Sequence, residues 1–245
     1  MPESRRFMGN YTGTEHMRWR HIGYAIDFVL CIDGTASMED KTENQHKIVK
    51  AIKENAHKVY QDLQNFMVKT GRELAQLRVK LILFRDYLAD GENAMLQTDF
   101  FQIPQQLAEF EETVSSVHAG GGGDEPEDGL EALAYAIRSD WTTLAGARKR
   151  QVIVVWSDAE AHELGYGKES AYYPKGMAAN MVELEDWWDE MGDYGQFLIL
   201  LAPYTNNWNH ISDNWKRVYH LPYDVDWDIS EHDYHDLLDC IITGD

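Results

Sequence analysis

Two cysteines in 245 residues are too few for a disulfide framework. One of them, Cys31, lies inside an apolar run, where a thiol behaves as a small hydrophobe. No apolar run approaches the roughly 20 residues that a membrane-spanning helix needs. The start of the chain, MPESRRFMGNYTGTEHMRWR, is polar and mixed in charge, without the apolar stretch of a leader. These absences predict a soluble protein of a reducing compartment, the cytoplasm. Positive charge is also scarce: 22 Lys and Arg against 42 Asp and Glu leave a formal charge of −20. Such a surface repels phosphate backbones and argues against nucleic acid as a partner. The short basic clusters Arg5-Arg6, Arg18 with Arg20, and Arg148-Lys149-Arg150 are predicted to be solvated surface.

Several catalytic signatures are missing too. The glycine run Gly120–Gly123 lacks the lysine of a phosphate-binding loop, and no nucleophile-elbow string marks a serine. The acidic stretch Asp224-Val225-Asp226-Trp227-Asp228 opens like a calcium-binding loop. It has Ile229 and His235 where such a loop needs glycine and glutamate, so it reads as a solvated segment.

What the chain does contain is an alternation of apolar runs and helical patterns. With 44% hydrophobic residues it can bury a substantial core. Ala25–Ile32, Val79–Phe84, Val152–Trp156 and Phe197–Leu201 read as strands buried on both faces, because they show no polar alternation. Gln97–Gln102 reads as a short edge strand and Val218–Leu221 as a weak strand. Helical spacing predicts helices over 41–70, closed by Gly71, and over 105–117, 126–139, 175–191 and 229–242. Strands alternating with helices of this length predict an α/β fold: a doubly wound, mostly parallel, Rossmann-like sheet in three α/β/α layers, with one short antiparallel edge strand. One domain over residues 24–245 follows an N-terminal extension, 1–23.

In such a sheet ligands bind beyond the carboxyl ends of the strands, where the strand order reverses. Phe28-Val29-Leu30-Cys31-Ile32 ends in Asp33-Gly34-Thr35-Ala36-Ser37, a carboxylate and two hydroxyls at alternate positions. Three oxygen donors on one turn suit a hard divalent cation. Asp124 follows the glycine run and Asp158 follows the Val152–Trp156 strand, so both belong to loops at the same end. Alternatives stand beside this reading. Asp33 and Ser37 also suit helix caps. Asp124 could ligate directly, act through water or cap its helix, and Glu125 or Glu127 could face the site in its place. Arg85 and Asp86 are expected to form a structural pair at the end of the second strand, and His162 to be an exposed loop residue.

With these three loops in order, the chain resembles the von Willebrand factor A family, from about Tyr24 onward. That family carries an Asp-x-Ser-x-Ser loop, a threonine from a second loop and an aspartate from a third, together holding a metal ion. Here Thr35 replaces the first serine, keeping the hydroxyl, and Asp124 sits where the threonine is expected. FRDY (84–87), GGGDEPED (121–128) and SDAEAH (157–162) are similar to the intracellular A domains found beside alpha-kinases and in prokaryotic tellurite-resistance-type gene clusters.

The resemblance implies a non-enzymatic protein-interaction module holding Mg²⁺, or Mn²⁺ or Ca²⁺, through Asp33, Thr35, Ser37, Asp124 and Asp158. A partner protein would dock on the metal-bearing face through an Asp or Glu carboxylate, with the segments 88–95 and 160–174 setting specificity. By analogy the partner is associated with a kinase or phosphatase in a stress or defence pathway. An enzymatic alternative is a haloacid-dehalogenase-type phosphoester hydrolase, whose start Asp33-Gly34-Thr35 resembles. There the nucleophile is an aspartate at the position of Cys31, so the sequence argues against it.

Overall fold

The computed structural model describes residues 23–40, 45–46, 60–123, 125–192, 195–221 and 241. In chain order these form β1 (Gly23–Asp33), β2 (Glu39–Asp40), β3 (Gln45–His46), the helical residues 60–69 (α1), β4 (Glu73–Phe84) and α2 (Tyr87–Asp90). There follow β5 (Met95–Gln97), β6 (Phe101–Ile103), α3 (Leu107–Ser115), α4 (Gly129–Ile137) and β7 (Arg148–Trp156). The last are α5 (Met181–Glu190), β8 (Gln196–Leu201), α6 (Asn206–Asn214) and β9 (Val218–Leu221).

The long strands lack polar alternation because both of their faces are covered. Val29 and Cys31 of β1, Ile153 and Val155 of β7, and Leu198 and Leu200 of β8 pack on one side against α4, α5 and α6. Tyr24, Ile26 and Ile32 of β1, Val152 of β7, and Phe197 and Ile199 of β8 pack on the other, with Leu63 and Met67 of α1 and Phe110 and Val114 of α3. Successive residues of a strand point to opposite faces, so each apolar run feeds two cores. The result is the expected three-layer, doubly wound α/β fold.

The sheet runs β5–β4–β1–β7–β8–β9, with β6 also on β4. β1 pairs in parallel with β4 on one side and with β7 on the other. The strand order therefore reverses at β1, and the crevice beyond its carboxyl end is where such a sheet places a ligand. β7–β8 and β8–β9 are parallel, whereas β5 and β6 run antiparallel to β4.

Four expectations change in detail. The helix expected over 175–191 begins only at Met181, where the Asn180 side chain accepts from the Glu183 N–H. The edge strand expected over 97–102 is two short strands, because Thr98 turns its side chain to the ladder: the Leu81 N–H donates to Thr98 Oγ1 at 3.0 Å. The helix expected over 41–70 does not occupy Gln45–His46, which pair with Glu39–Asp40 as a hairpin. Residues 39–46 carry no apolar side chain to set a helical stripe, and the first of the series is Ile48. The described end of that helix is closed as expected: Gly71 has φ +68°, Arg72 N–H reaches Met67 O at 2.7 Å and Gly71 N–H reaches Val68 O at 3.0 Å, a Schellman cap. α6 has no counterpart in the sequence reading, since Asn206–Asn214 is rich in poor helix formers. It is held by the burial of Trp208 and Ile211.

The helix expected over 229–242 lies outside the described residues except for Ile241, as do Asp224–Asp228 and the N-terminal extension short of Gly23. Of the basic cluster 148–150, Arg150 is not surface: it is buried and donates through Nε to Ile241 O at 2.6 Å. Among the described residues no helix is long and apolar enough to cross a membrane.

Candidate metal centre

The parallel pairing of β1 with β7 sets Ile32 beside Trp156, so the loops that follow leave the sheet as neighbours. Gly34 opens the first loop where no side chain fits: a Cβ there would lie 2.7 Å from Leu83 Cγ. Asp33 then folds the loop back on itself. Its Oδ1 accepts from the Thr35 N–H at 2.9 Å and from Thr35 Oγ1 at 2.6 Å. Thr35 Oγ1 lies 3.0 Å from Ser37 Oγ, and Ser37 Oγ donates to Asp158 Oδ1 at 2.9 Å. A continuous row of oxygens thus runs Asp33–Thr35–Ser37–Asp158, joining the ends of β1 and β7.

Neither Asp33 nor Ser37 caps a long helix. The loop passes into a single 3₁₀ turn, Ala36–Met38, and then into β2. Four of the five residues singled out in the sequence are therefore brought together. The fifth, Asp124, lies outside the described residues.

Two residues outside that set belong to the same cluster. Ser157 Oγ donates to Asp33 Oδ2 at 2.6 Å from the strand end next door. Glu127 comes from the glycine loop: a Cβ placed on Gly122 would meet Glu127 Oε1 at 3.1 Å and Thr35 Cβ at 3.1 Å. Gly122, at φ +80°, is thus the spacer that lets this carboxylate approach Thr35. Glu127 is 4% exposed, and its Oε2 is buried with no hydrogen-bond partner. The main chain fixes it, since Glu127 N–H donates to Glu160 O at 2.9 Å and His162 N–H to Glu127 O at 2.7 Å. The sequence reading places Asp124 in the site, with Glu125 or Glu127 as alternatives. The glycine at 122 is the signal that selects Glu127, and the hydroxyl beside Asp158 the one for Ser157.

Burial dominates the electrostatics. The Asp33 carboxyl is pushed up to about 6, first by burial; hydrogen bonds from Ser157 and Thr35 pull it back, and the charge of Asp158 adds to the rise. Glu127 is pushed up to about 9 by burial and then by the charges of Asp33, Asp86, Asp128 and Asp90. Asp128 reaches about 8 through burial and the charge of Glu131.

Arg85 and Asp86 do not pair. Asp86 caps α2, accepting from Leu88 N–H at 2.5 Å and Ala89 N–H at 3.1 Å, and faces His162 Nε2 at 3.4 Å. His162 is correspondingly buried, not exposed, and stacks on Tyr166 with ring centroids 3.7 Å apart. Its burial follows from the main-chain bridge to Glu127, which draws the 158–162 loop inward. Cys31 points away from the crevice into the core, its Sγ 3.6 Å from Ala132 O.

Every donor in the row is an oxygen, and the buried Glu127 Oε2 lacks a partner. That chemistry fits Mg²⁺, Mn²⁺ or Ca²⁺ and not a soft, thiolate-seeking metal. Among the described residues no three carboxylate, imidazole or thiol groups converge closely enough to hold an ion by themselves. A cation site here would need the hydroxyls of Thr35 and Ser37 as well as the carboxylates. Fold and loops together define a doubly wound α/β protein with an oxygen-donor cluster at its switch point. No family model matches the chain, and no curated protein matches it.

Proposed function

We propose that this protein is a non-enzymatic, divalent-cation-dependent interaction module of the von Willebrand factor A type. The observation that carries the reading is the oxygen row Asp33–Thr35–Ser37–Asp158 across the ends of β1 and β7, with the buried, partnerless Glu127 Oε2 in the neighbouring glycine loop. In this reading Asp33, Thr35, Ser37 and Asp158 hold Mg²⁺, with Mn²⁺ or Ca²⁺ as substitutes, and Glu127 turns toward the ion from the glycine loop. Asp124 remains part of the proposed set. A bound ion supplies a Lewis-acidic position at which an oxygen of a partner protein completes the coordination. The partner docks on the metal-bearing face, against the exposed Leu88, Tyr166 and Tyr172. Association with a kinase or phosphatase in a prokaryotic stress or defence pathway is the setting suggested by analogy, in the cytoplasm and without nucleic acid or membrane.

The donor set shapes what the module accepts. Asp33, Asp124, Glu127 and Asp158 carry up to four negative charges against the two positive charges of the ion. A partner's Asp or Glu is then held less strongly than at a site with neutral second-loop donors.

Calorimetric titration of the wild type and Asp33→Ala with Mg²⁺ tests the reading. Saturable binding to the wild type, lost in the variant, is expected; no binding to the wild type ends the cation proposal. Hydrolysis of p-nitrophenyl phosphate that disappears in Asp33→Ala would replace the interaction module with an enzyme.

A further inference from the structure

Arg85 leaves the end of β4 at the floor of a cavity of about 440 Å³ lined also by Leu83, Asn93, His118 and Gly121. Its guanidinium makes three hydrogen bonds, and each goes to the main chain of a different loop. Nε donates to Gly34 O at 2.9 Å, Nη1 to Asn93 O at 2.8 Å and Nη2 to His118 O at 3.0 Å. Gly34 belongs to the loop carrying Thr35 and Ser37, Asn93 to the turn before β5, and His118 to the segment leading into the glycine run. The same loops are joined by Gly120 N–H to Gly34 O at 3.0 Å and Ala36 N–H to Gly121 O at 3.3 Å. A Cβ on Gly121 would sit 3.1 Å from Arg85 Cδ, so the glycine loop lies directly on the arginine stem. A planar, rigid fork suits three carbonyls in fixed directions, which the single ammonium of lysine does not reproduce.

We propose that Arg85 is the positioning residue of the cation site: it touches no donor oxygen but holds the Gly34 carbonyl, and with it the Thr35–Ser37 turn, against the glycine loop that delivers Glu127. The proposal rests on the reading of the cluster as a cation site. It makes a prediction whose sign opposes simple electrostatics. A positive charge beside the site repels a cation, so a residue acting only through charge would tighten binding when neutralised. A residue that orients the donors weakens binding when removed, by the 10–100-fold typical of groups that support metal ligands.

Titrate the full chain with Mn²⁺ as wild type, Arg85→Met and Arg85→Lys, and follow amide exchange by NMR in the same three proteins. Both variants are expected to bind Mn²⁺ 10–100-fold more weakly, Arg85→Lys despite keeping the charge. The amides of Ala36 and Gly120 are expected to exchange faster, with the core amide of Ile153 unchanged. Equal or tighter binding in Arg85→Met overturns the proposal, as does wild-type affinity in Arg85→Lys. Loss of protection at Ile153 in Arg85→Lys assigns the residue to folding and overturns it equally. If the wild type binds no Mn²⁺, the cation reading falls, and Arg85 is left as an organiser of loops only if the Ala36 and Gly120 amides still respond.

Discussion

Glu127 combines what its neighbours show separately: burial, a partnerless oxygen and a glycine opposite that gives it room. With its carboxyl raised to about 9, it is protonated at pH 7 in the ion-free protein. A cation that binds there displaces the proton. Wild-type affinity for Mg²⁺ is therefore expected to rise between pH 7 and 9, with proton release visible as a buffer-dependent heat. Glu127→Gln, which mimics the neutral acid, is expected to flatten that rise and to leave the melting temperature at pH 7 nearly unchanged. At Gly122 the backbone and the space both resist a side chain, with φ +80° and Thr35 and Glu127 each 3.1 Å from an added Cβ. Gly122→Ala is expected to cost about 1–2 kcal/mol from the left-handed backbone alone, read by urea denaturation, and to weaken the cation site as well.

Among the elements, the buried strands were the most legible, because an unbroken apolar run leaves few other structures open to it. β4 was legible only in its inner half: Glu73–Arg78, Glu-Leu-Ala-Gln-Leu-Arg, has neither an unbroken apolar run nor a strict alternation, and it is strand through pairing with β1. The loop acids could be placed at one end of the sheet from their position after strands, but their convergence depends on which strands are neighbours. That is a tertiary fact, and so is the burial of Glu127 beside Thr35. α6 was illegible for a related reason. Its helix comes from burying Trp208 and Ile211, not from propensity, and it also braces the site: Trp208 Nε1 donates to Ala159 O at 3.1 Å and Asn207 Nδ2 to Ala161 O at 2.8 Å. Trp208→Phe keeps most of the packing and removes one hydrogen bond. A loss of about 1 kcal/mol is expected, with weaker Mg²⁺ binding because the Asp158 loop is less firmly held.

Over the whole molecule the raised acids set a pH dependence. Asp33, Asp128 and Glu127 titrate at about 6, 8 and 9 in the folded chain, against roughly 4 for unfolded carboxyls. Between those values the folded state binds more protons than the unfolded one, so their contribution to stability is fully present below about pH 4 and is lost as pH rises toward 9. Asp128→Asn is expected to flatten the decline in melting temperature between pH 6 and 9 relative to the wild type. On the cation reading, a bound ion is expected to offset the same decline. At 100 times its dissociation constant, Mg²⁺ adds about 2.7 kcal/mol, and the resulting rise in melting temperature should exceed that produced by NaCl of equal ionic strength.

The oxygen row between β1 and β7 has a consequence in hydrogens. Thr35 and Ser37 each own one hydroxyl hydrogen, while the row contains three contacts: Asp33 to Thr35, Thr35 to Ser37, and Ser37 to Asp158. With both carboxylates ionised, two hydrogens serve three contacts, and one pair of oxygens at any moment meets lone pair to lone pair. A proton on Asp33 makes up the deficit from below pH 6. A cation removes it in another way, by drawing the lone pairs to itself and needing no hydrogen between them. On the cation reading, proton and metal ion are thus rival solutions to one shortage.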